Sequence, residues 1–182
     1  KGNILLNLGE GLTNESGATV HRISDTEIAG CKLMGTFCYN PNAVFPLYFA
    51  MRVSKKPSDQ GFWKFQRPKK GVEAEWDVDD AKYKIYPDFG KTMSGDDIGV
   101  WYSYDTASEE VIEVSVGVSF VSEENAMLNL NTEQPAGVSF DDIHSSARKQ
   151  WNDHLSRVMV EGGTDDQKTV FYTALYHTLI HP

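Results

Sequence analysis

The spacing of apolar residues changes once along this chain, and that change decides most of what the chain can fold into. Up to about residue 121 apolar side chains recur at every second position; beyond about residue 138 they recur at steps of three and four. Over residues 111–121, Ile112, Val114, Val116, Val118 and Phe120 take one parity, while Glu113, Ser115, Gly117 and Ser119 take the other. That predicts a strand whose apolar face is buried. Leu47, Phe49, Met51 and Val53 repeat the pattern, as do Ile98, Val100, Tyr102 and Tyr104. Weaker strands are expected over residues 27–39, 19–23 and 72–76. Asn40-Pro41-Asn42, Lys56-Pro57-Ser58-Asp59 and Met93-Ser94-Gly95-Asp96 read as turns between them. Strands at this spacing with no helices between them predict a mainly β fold, an antiparallel β-sandwich.

After the switch the chain reads as helical. Ser122 is an N-cap, with Glu123 and Glu124 in the first turn, for a short helix reaching about Leu130. Beyond Gln134-Pro135-Ala136-Gly137, Ser139 opens a longer helix. Its stripe is Phe140, Ile143, Ala147, Trp151, Leu155 and Val158, and Gly162-Gly163 is expected to stop it. Thr164 and Gln167 form a capping box for a last helix carrying Val170, Phe171, Ala174, Leu175 and Leu179, which Pro182 ends. The expected division is a sandwich over 1–138, a helical linker over 139–163 and one further helix over 164–182. Two helices offer each other too little surface, so both stripes are expected against the sandwich or against material outside this chain. The ending at His181-Pro182 favours the latter.

Composition narrows the class. Seventeen basic and 26 acidic side chains give a net charge of −9, without the concentrated basic face of a nucleic-acid binder. Forty per cent hydrophobic with 24% charged residues is globular composition. No apolar run approaches the roughly 20 residues of a membrane helix. Cys31 and Cys38 make no disulfide scaffold and no zinc pair; on one strand they would stand about 23 Å apart at ~3.3 Å per residue. Their redox compartment stays open. The opening KGNILLNL is no signal peptide, so the protein is cytoplasmic or its leader lies upstream.

Several residue groups invite chemistry, and each has a plainer explanation. Asp77, Asp79, Asp80 and Asp88 outline a calcium loop, but Ala81 and Lys82 stand where an oxygen ligand and a glycine are required, so an acidic surface turn is expected. His177 and His181 have zinc-sharing spacing without the intervening glutamate or a third ligand, which favours packing or capping. Glu123 and Glu124 are adjacent, diverge by about 100° on a helix, and serve its dipole better than they serve as an acid pair. Asn14-Glu15-Ser16 fits a glycosylation triplet of the kind that occurs by chance. Trp63, Trp76, Trp101, Tyr48, Tyr83, Tyr86, Tyr102 and Tyr104 make the β region aromatic-rich: core or interface first, exposed sugar platform second. Trp151 is expected to anchor an interface. No catalytic residue and no metal ligand is assigned within the chain.

Two stretches go further. Residues 117–130 (GVSFVSEENAMLNL) and 169–182 (TVFYTALYHTLIHP), joined by a helix with Trp151-Asn152 and Leu155, resemble glycoside hydrolase family 92. Asn3-Ile4-Leu5-Leu6-Asn7, Ile28-Ala29-Gly30 and Gly35-Thr36-Phe37-Cys38 resemble the same family's sandwich domain, so the resemblance covers essentially the whole chain. It implies part of a bacterial exo-acting α-mannosidase, many of which act on α-1,2 linkages in mannan or N-glycans. The family's architecture implies an (α/α)6 barrel beyond Pro182, packing on Phe140, Trp151 and Phe171, with residues 164–182 its first helix. It further implies inversion of anomeric configuration and a calcium cofactor, both seated in that barrel, and a periplasmic, surface or secreted location with a leader upstream. The segment alone is then expected to be scaffold and domain interface, without activity. The rival readings are a non-catalytic carbohydrate-binding β-sandwich and an accessory domain of an unrelated hydrolase.

Overall fold

The computed structural model describes residues 1–9, 17–35, 43–65, 83–87, 90–107 and 110–180. Among these, the strands are β1 (Gly2–Asn7), β2 (Ala18–Arg22), β3 (Glu27–Met34), β4 (Phe45–Val53), β5 (Asp59–Phe65), β6 (Tyr83–Pro87), β7 (Thr92–Gly95), β8 (Ile98–Tyr104) and β9 (Val114–Ser119). The helices α1 (Glu123–Glu133), α2 (Phe140–Leu155) and α3 (Asp165–Ile180) follow. The strands pair into a four-stranded sheet, β1-β8-β5-β6, and a five-stranded sheet, β7-β2-β3-β4-β9. Every ladder is antiparallel. The fold is mainly β, as the two-residue periodicity predicts. The chain divides into two compact units, Lys1–Ala136 and Gly137–Pro182.

In the first unit the inner faces of the two sheets share one core. Val20, Ile28, Phe49, Met51 and Val53 come from the five-stranded sheet; Phe62, Ile98, Val100, Tyr102 and Tyr104 come from the four-stranded one. The alternating positions of β4 and β8 therefore face inward as their parity requires. The Tyr104 hydroxyl is buried there without a hydrogen-bond partner.

A second, smaller core lies on the outer face of the five-stranded sheet, where Ala126 and Leu130 of α1 pack on Ala29 and Ala50. The register explains how a helix can come so close: Ala29, Ala50 and Gly117 stand side by side on β3, β4 and β9. Their small side chains form a trough. A Cβ on Gly117 would lie 2.4 Å from the Ala126 carbonyl oxygen and 2.7 Å from the Leu130 nitrogen. Ser122 caps α1 as its sequence predicts, its Oγ accepting from Asn125 N at 3.2 Å. At the other end Arg52 donates to Glu27 Oε1 at 2.8 Å, to the Gln134 carbonyl and to Asn131.

This docking reverses the expectation for the strand over residues 111–121. The ordered strand is shorter, and its buried parity is Gly117 and Ser119, underneath α1. Val114, Val116 and Val118 pair with Val53, Met51 and Phe49 and so share their face, yet remain 43%, 44% and 50% exposed. They sit on the sheet's edge strand. Met93-Ser94-Gly95, expected as a turn, is instead most of β7. Met93 fills the core opposite Val20, and the reversal falls just after the strand. The strand expected over 27–39 ends at Met34. The segment 72–76 and the Asn40-Pro41-Asn42 turn lie outside the described residues.

In the second unit α2 begins in a full capping box between Ser139 and Asp142. It stops at Leu155 rather than at Gly162-Gly163. After a turn at Ser156–Arg157, the hydroxyl of Tyr172 on α3 donates to the Val158 carbonyl at 3.1 Å and accepts from Val160 N at 3.3 Å, which takes Val158 out of the helical stripe. Gly162 and Gly163, at φ of 78° and 72°, then turn the chain into α3. Thr164 and Gln167 cap it reciprocally, at 2.9 and 3.2 Å.

Candidate functional site

Three places in the described residues gather chemistry. Beside the N-terminus of α1, on the outer face of the five-stranded sheet, His21 Nδ1 lies 3.0 Å from Thr92 Oγ1 and its Nε2 lies 3.6 Å from Glu123 Oε1. The next row carries Thr19 Oγ1 and Ser94 Oγ, 3.0 Å apart, and Cys31 alongside Thr19. Burial pushes the Cys31 thiol up, and the Glu123 carboxylate adds to the rise. A thiol held protonated is a poor nucleophile, and among the described residues no hydrogen bond joins it to His21. Glu124 is held below the usual carboxylate range by its hydrogen bond with Ser122 and by a backbone bond, which makes it a helix-start carboxylate and not a general acid. This shelf clamps α1 to β2 and β7.

The second place is an open crevice of about 550 Å³ within the helical unit, lined by Leu155, Asp165, Lys168, Thr169, Tyr172 and Tyr176 among others. Trp151 packs on Tyr176 with ring centroids 4.6 Å apart. Phe140, at 70% exposed, and Phe171 leave apolar rings in solvent, and neither α2 nor α3 buries a single residue fully.

The third place is the outer face of the four-stranded sheet, built by a motif the periodicity argument passed over. Both β5 and β8 carry Gly-x-Trp: Gly61-Phe62-Trp63 and Gly99-Val100-Trp101. In the antiparallel register each glycine stands opposite the other strand's tryptophan, Gly61 with Trp101 and Trp63 with Gly99. Each indole lies over the glycine across from it. A Cβ on Gly99 would come within 2.3 Å of the Trp63 ring, and one on Gly61 within 2.9 Å of the Trp101 ring. Trp63 and Trp101 are thus neither core nor bare surface, but a half-buried pair, whereas Tyr102 and Tyr104 are core and Tyr48 packs against the α1 cluster. Trp101 Nε1 is buried with no hydrogen-bond partner.

The remaining candidates separate. His177 lies on α3, while His181 is outside the described residues, as are Asp77, Asp79, Asp80, Asp88, Trp76, Cys38 and the Asn14-Glu15-Ser16 triplet. Cys31 is a free thiol. Among the described residues no three His, Cys, Asp or Glu side chains are grouped to hold a metal ion, and no helix is long and apolar enough to cross a membrane.

The two-sheet sandwich and the helical segment after it each match a family model. The family model described as the glycosyl hydrolase family 92 N-terminal domain matches residues 1–119, and that of the family 92 catalytic domain matches residues 125–182. The chain belongs to glycosyl hydrolase family 92. No curated protein matches it. Among solved structures, a family 92 inverting mannosidase of Bacteroides thetaiotaomicron superposes with a TM-score of 0.72 at 24% identity, covering 97% of this chain. A family 92 α-mannosidase of the same organism, solved also with mannoimidazole, superposes at 0.76 and 21% identity, covering 99%. At such identities the likeness is one of fold. The chain spans about a fifth of those structures' length, 21% and 22%.

Proposed function

We propose that this chain is the sandwich-to-barrel portion of an exo-acting α-mannosidase that removes terminal α-linked mannose, α-1,2-linked in mannan or N-glycans, with inversion. The single observation that carries the reading is that both family 92 domain models match, end to end and in order, along one chain. In this reading residues 1–138 are the sandwich, 139–163 the linker and 164–182 the first helix of an (α/α)6 barrel. The mannosidase structures sharing the fold support the substrate class. The location is periplasmic, cell-surface or secreted.

The described residues support a scaffold role. Inverting hydrolysis needs an acid and a base on opposite sides of the sugar, with carboxyls about 6.5–9.5 Å apart. Glu124 is spent on its cap and Glu123 faces His21. In this reading the chemistry belongs to the barrel, together with a calcium ion, which when bound would help distort the mannose and hold the attacking water. What this chain supplies is apolar surface for the barrel to cover: Phe140, Trp151 and Phe171. The test compares the 182-residue chain with the longer polypeptide of its gene on α-1,2-mannobiose. Mannose release is expected from the longer polypeptide alone, and it is expected to fall on chelation of calcium. Release by the 182-residue chain itself would overturn the assignment of chemistry to the barrel.

A further inference from the structure

We infer that α1 guards the edge of the five-stranded sheet: the carboxamides of Asn129 and Gln134 occupy outward carbonyls of β9 and keep a second copy of this chain from pairing along it. β9 closes that sheet on one side, with β4 as its partner. In an antiparallel ladder alternate residues bond across, and the ones between aim N–H and C=O the other way. Ser54 N donates to Glu113 O at 2.9 Å. That phase has Ser115, Gly117 and Ser119 bonding to β4, while Val114, Val116 and Val118 turn their backbone groups to the open side. The same three valines are half-exposed. Free backbone groups along an apolar edge are a template for another strand. A second β9, laid antiparallel about a two-fold axis, would offer the matching row.

Two of those outward carbonyls are taken. Asn129 Nδ2 donates to the Val118 oxygen at 2.8 Å, and Gln134 Nε2 donates to the Val116 oxygen at 3.2 Å. The spacings agree because α1 runs back along β9: five helical residues rise about 7.5 Å, and two strand residues span about 6.8 Å. Each amide nitrogen stands well inside the roughly 4.8 Å that separates neighbouring strands. An incoming strand therefore pairs only after both carboxamides have moved. Their supports hold them in place. Ala126 and Leu130 fix α1 in its trough at 0% exposure, and Arg52 holds both the Asn131 side chain and the Gln134 carbonyl.

The test compares the 182-residue chain with its Asn129→Ala/Gln134→Ala variant by sedimentation over a concentration series, with hydrogen exchange alongside. Alanine is the best helix former and the backbone bonds are untouched, so α1 is expected to persist. In the unmodified chain the Val116 and Val118 amides should exchange fast at every concentration, while that of Gly117 is protected by β4. The variant should associate at concentrations about tenfold lower, and its Val116 and Val118 amides should gain protection as it does. Adding Val118→Lys, which puts a charge on the edge, should reverse both effects. Protection of the Val116 and Val118 amides in the unmodified chain would overturn the inference without recourse to any variant. So would a variant that associates no more readily than the unmodified chain. Association that leaves those two amides fast, or that survives Val118→Lys, would place the contact on another surface and remove the guard as well. Mannose release by the longer polypeptide bears on none of these outcomes.

Discussion

Tyr102 is 1% exposed in the sandwich core, and its phenol is pushed up to about 12, chiefly by burial, with Tyr104 adding to the rise and Arg22 opposing it. In the unfolded chain the same group titrates near 10. A raised folded-state value means that the folded protein holds the proton longer. The contribution to stability is therefore complete below about pH 10 and is lost as pH climbs from 10 towards 12. At about 1.4 kcal/mol per unit, the loss reaches roughly 2–3 kcal/mol. Urea titrations at stepped pH should show a midpoint that falls steeply through that window, and Tyr102→Phe should flatten the fall; an unchanged slope in the variant would place the titration elsewhere. The inward position of Tyr102 follows from its parity with Ile98 and Val100, and so was open to sequence reasoning. What Trp101 does between them was not. Its outward parity is local, but its ring rests on Gly61, and only the register of two distant strands brings those together.

Gly117 shows how an element can overrule its own pattern. By alternation β9 offers a valine face and a Gly/Ser face, and hydrophobicity alone buries the valines. The structure buries the other side because α1 needs close approach more than it needs apolar bulk there. The trough of Ala29, Ala50 and Gly117 lets the helix lay Ala126 and Leu130 against the sheet. Gly117→Ala puts a methyl group into the backbone of α1, where no rotamer relieves it, and is expected to cost about 1–3 kcal/mol. The reading is that stability falls in urea and α1 amides exchange faster; an unaffected α1 would mean that the helix is held by the Arg52 contacts instead. The same logic separates what was legible from what was not. Caps at Ser122, Ser139 and Thr164 depend on residues three apart, and all three appear as expected. The end of α2 depends on Tyr172 reaching back from another helix, and the edge strand β7 depends on a partner far away in sequence. Local chemistry predicts starts better than it predicts stops.

At the scale of the molecule, the two units differ in what they bury. The sandwich holds Val20, Ala50, Ile98, Ala126 and Leu130 at 0% exposure, whereas α2 and α3 have no fully buried residue. Sixteen-residue helices are marginal in water without tertiary cover, and the Trp151–Tyr176 contact with the Tyr172 tie is modest cover for two of them. Hydrogen exchange on the 182-residue chain should therefore split by unit. Amides of β3, β4 and β8 should open only with global unfolding, and those of α1 should join them because Ala126 and Leu130 anchor it. Amides in the middle of α2 and α3 should exchange at least roughly 100-fold faster, through local opening. In the longer polypeptide the same helices should gain protection to the level of the sandwich, since the exposed rings of Phe140 and Phe171 would then have the barrel over them. Protection of α2 equal to that of β4 in the short chain would contradict this. The helical unit would then be stable on its own apolar contacts, and its exposed stripe would no longer argue for a covering domain.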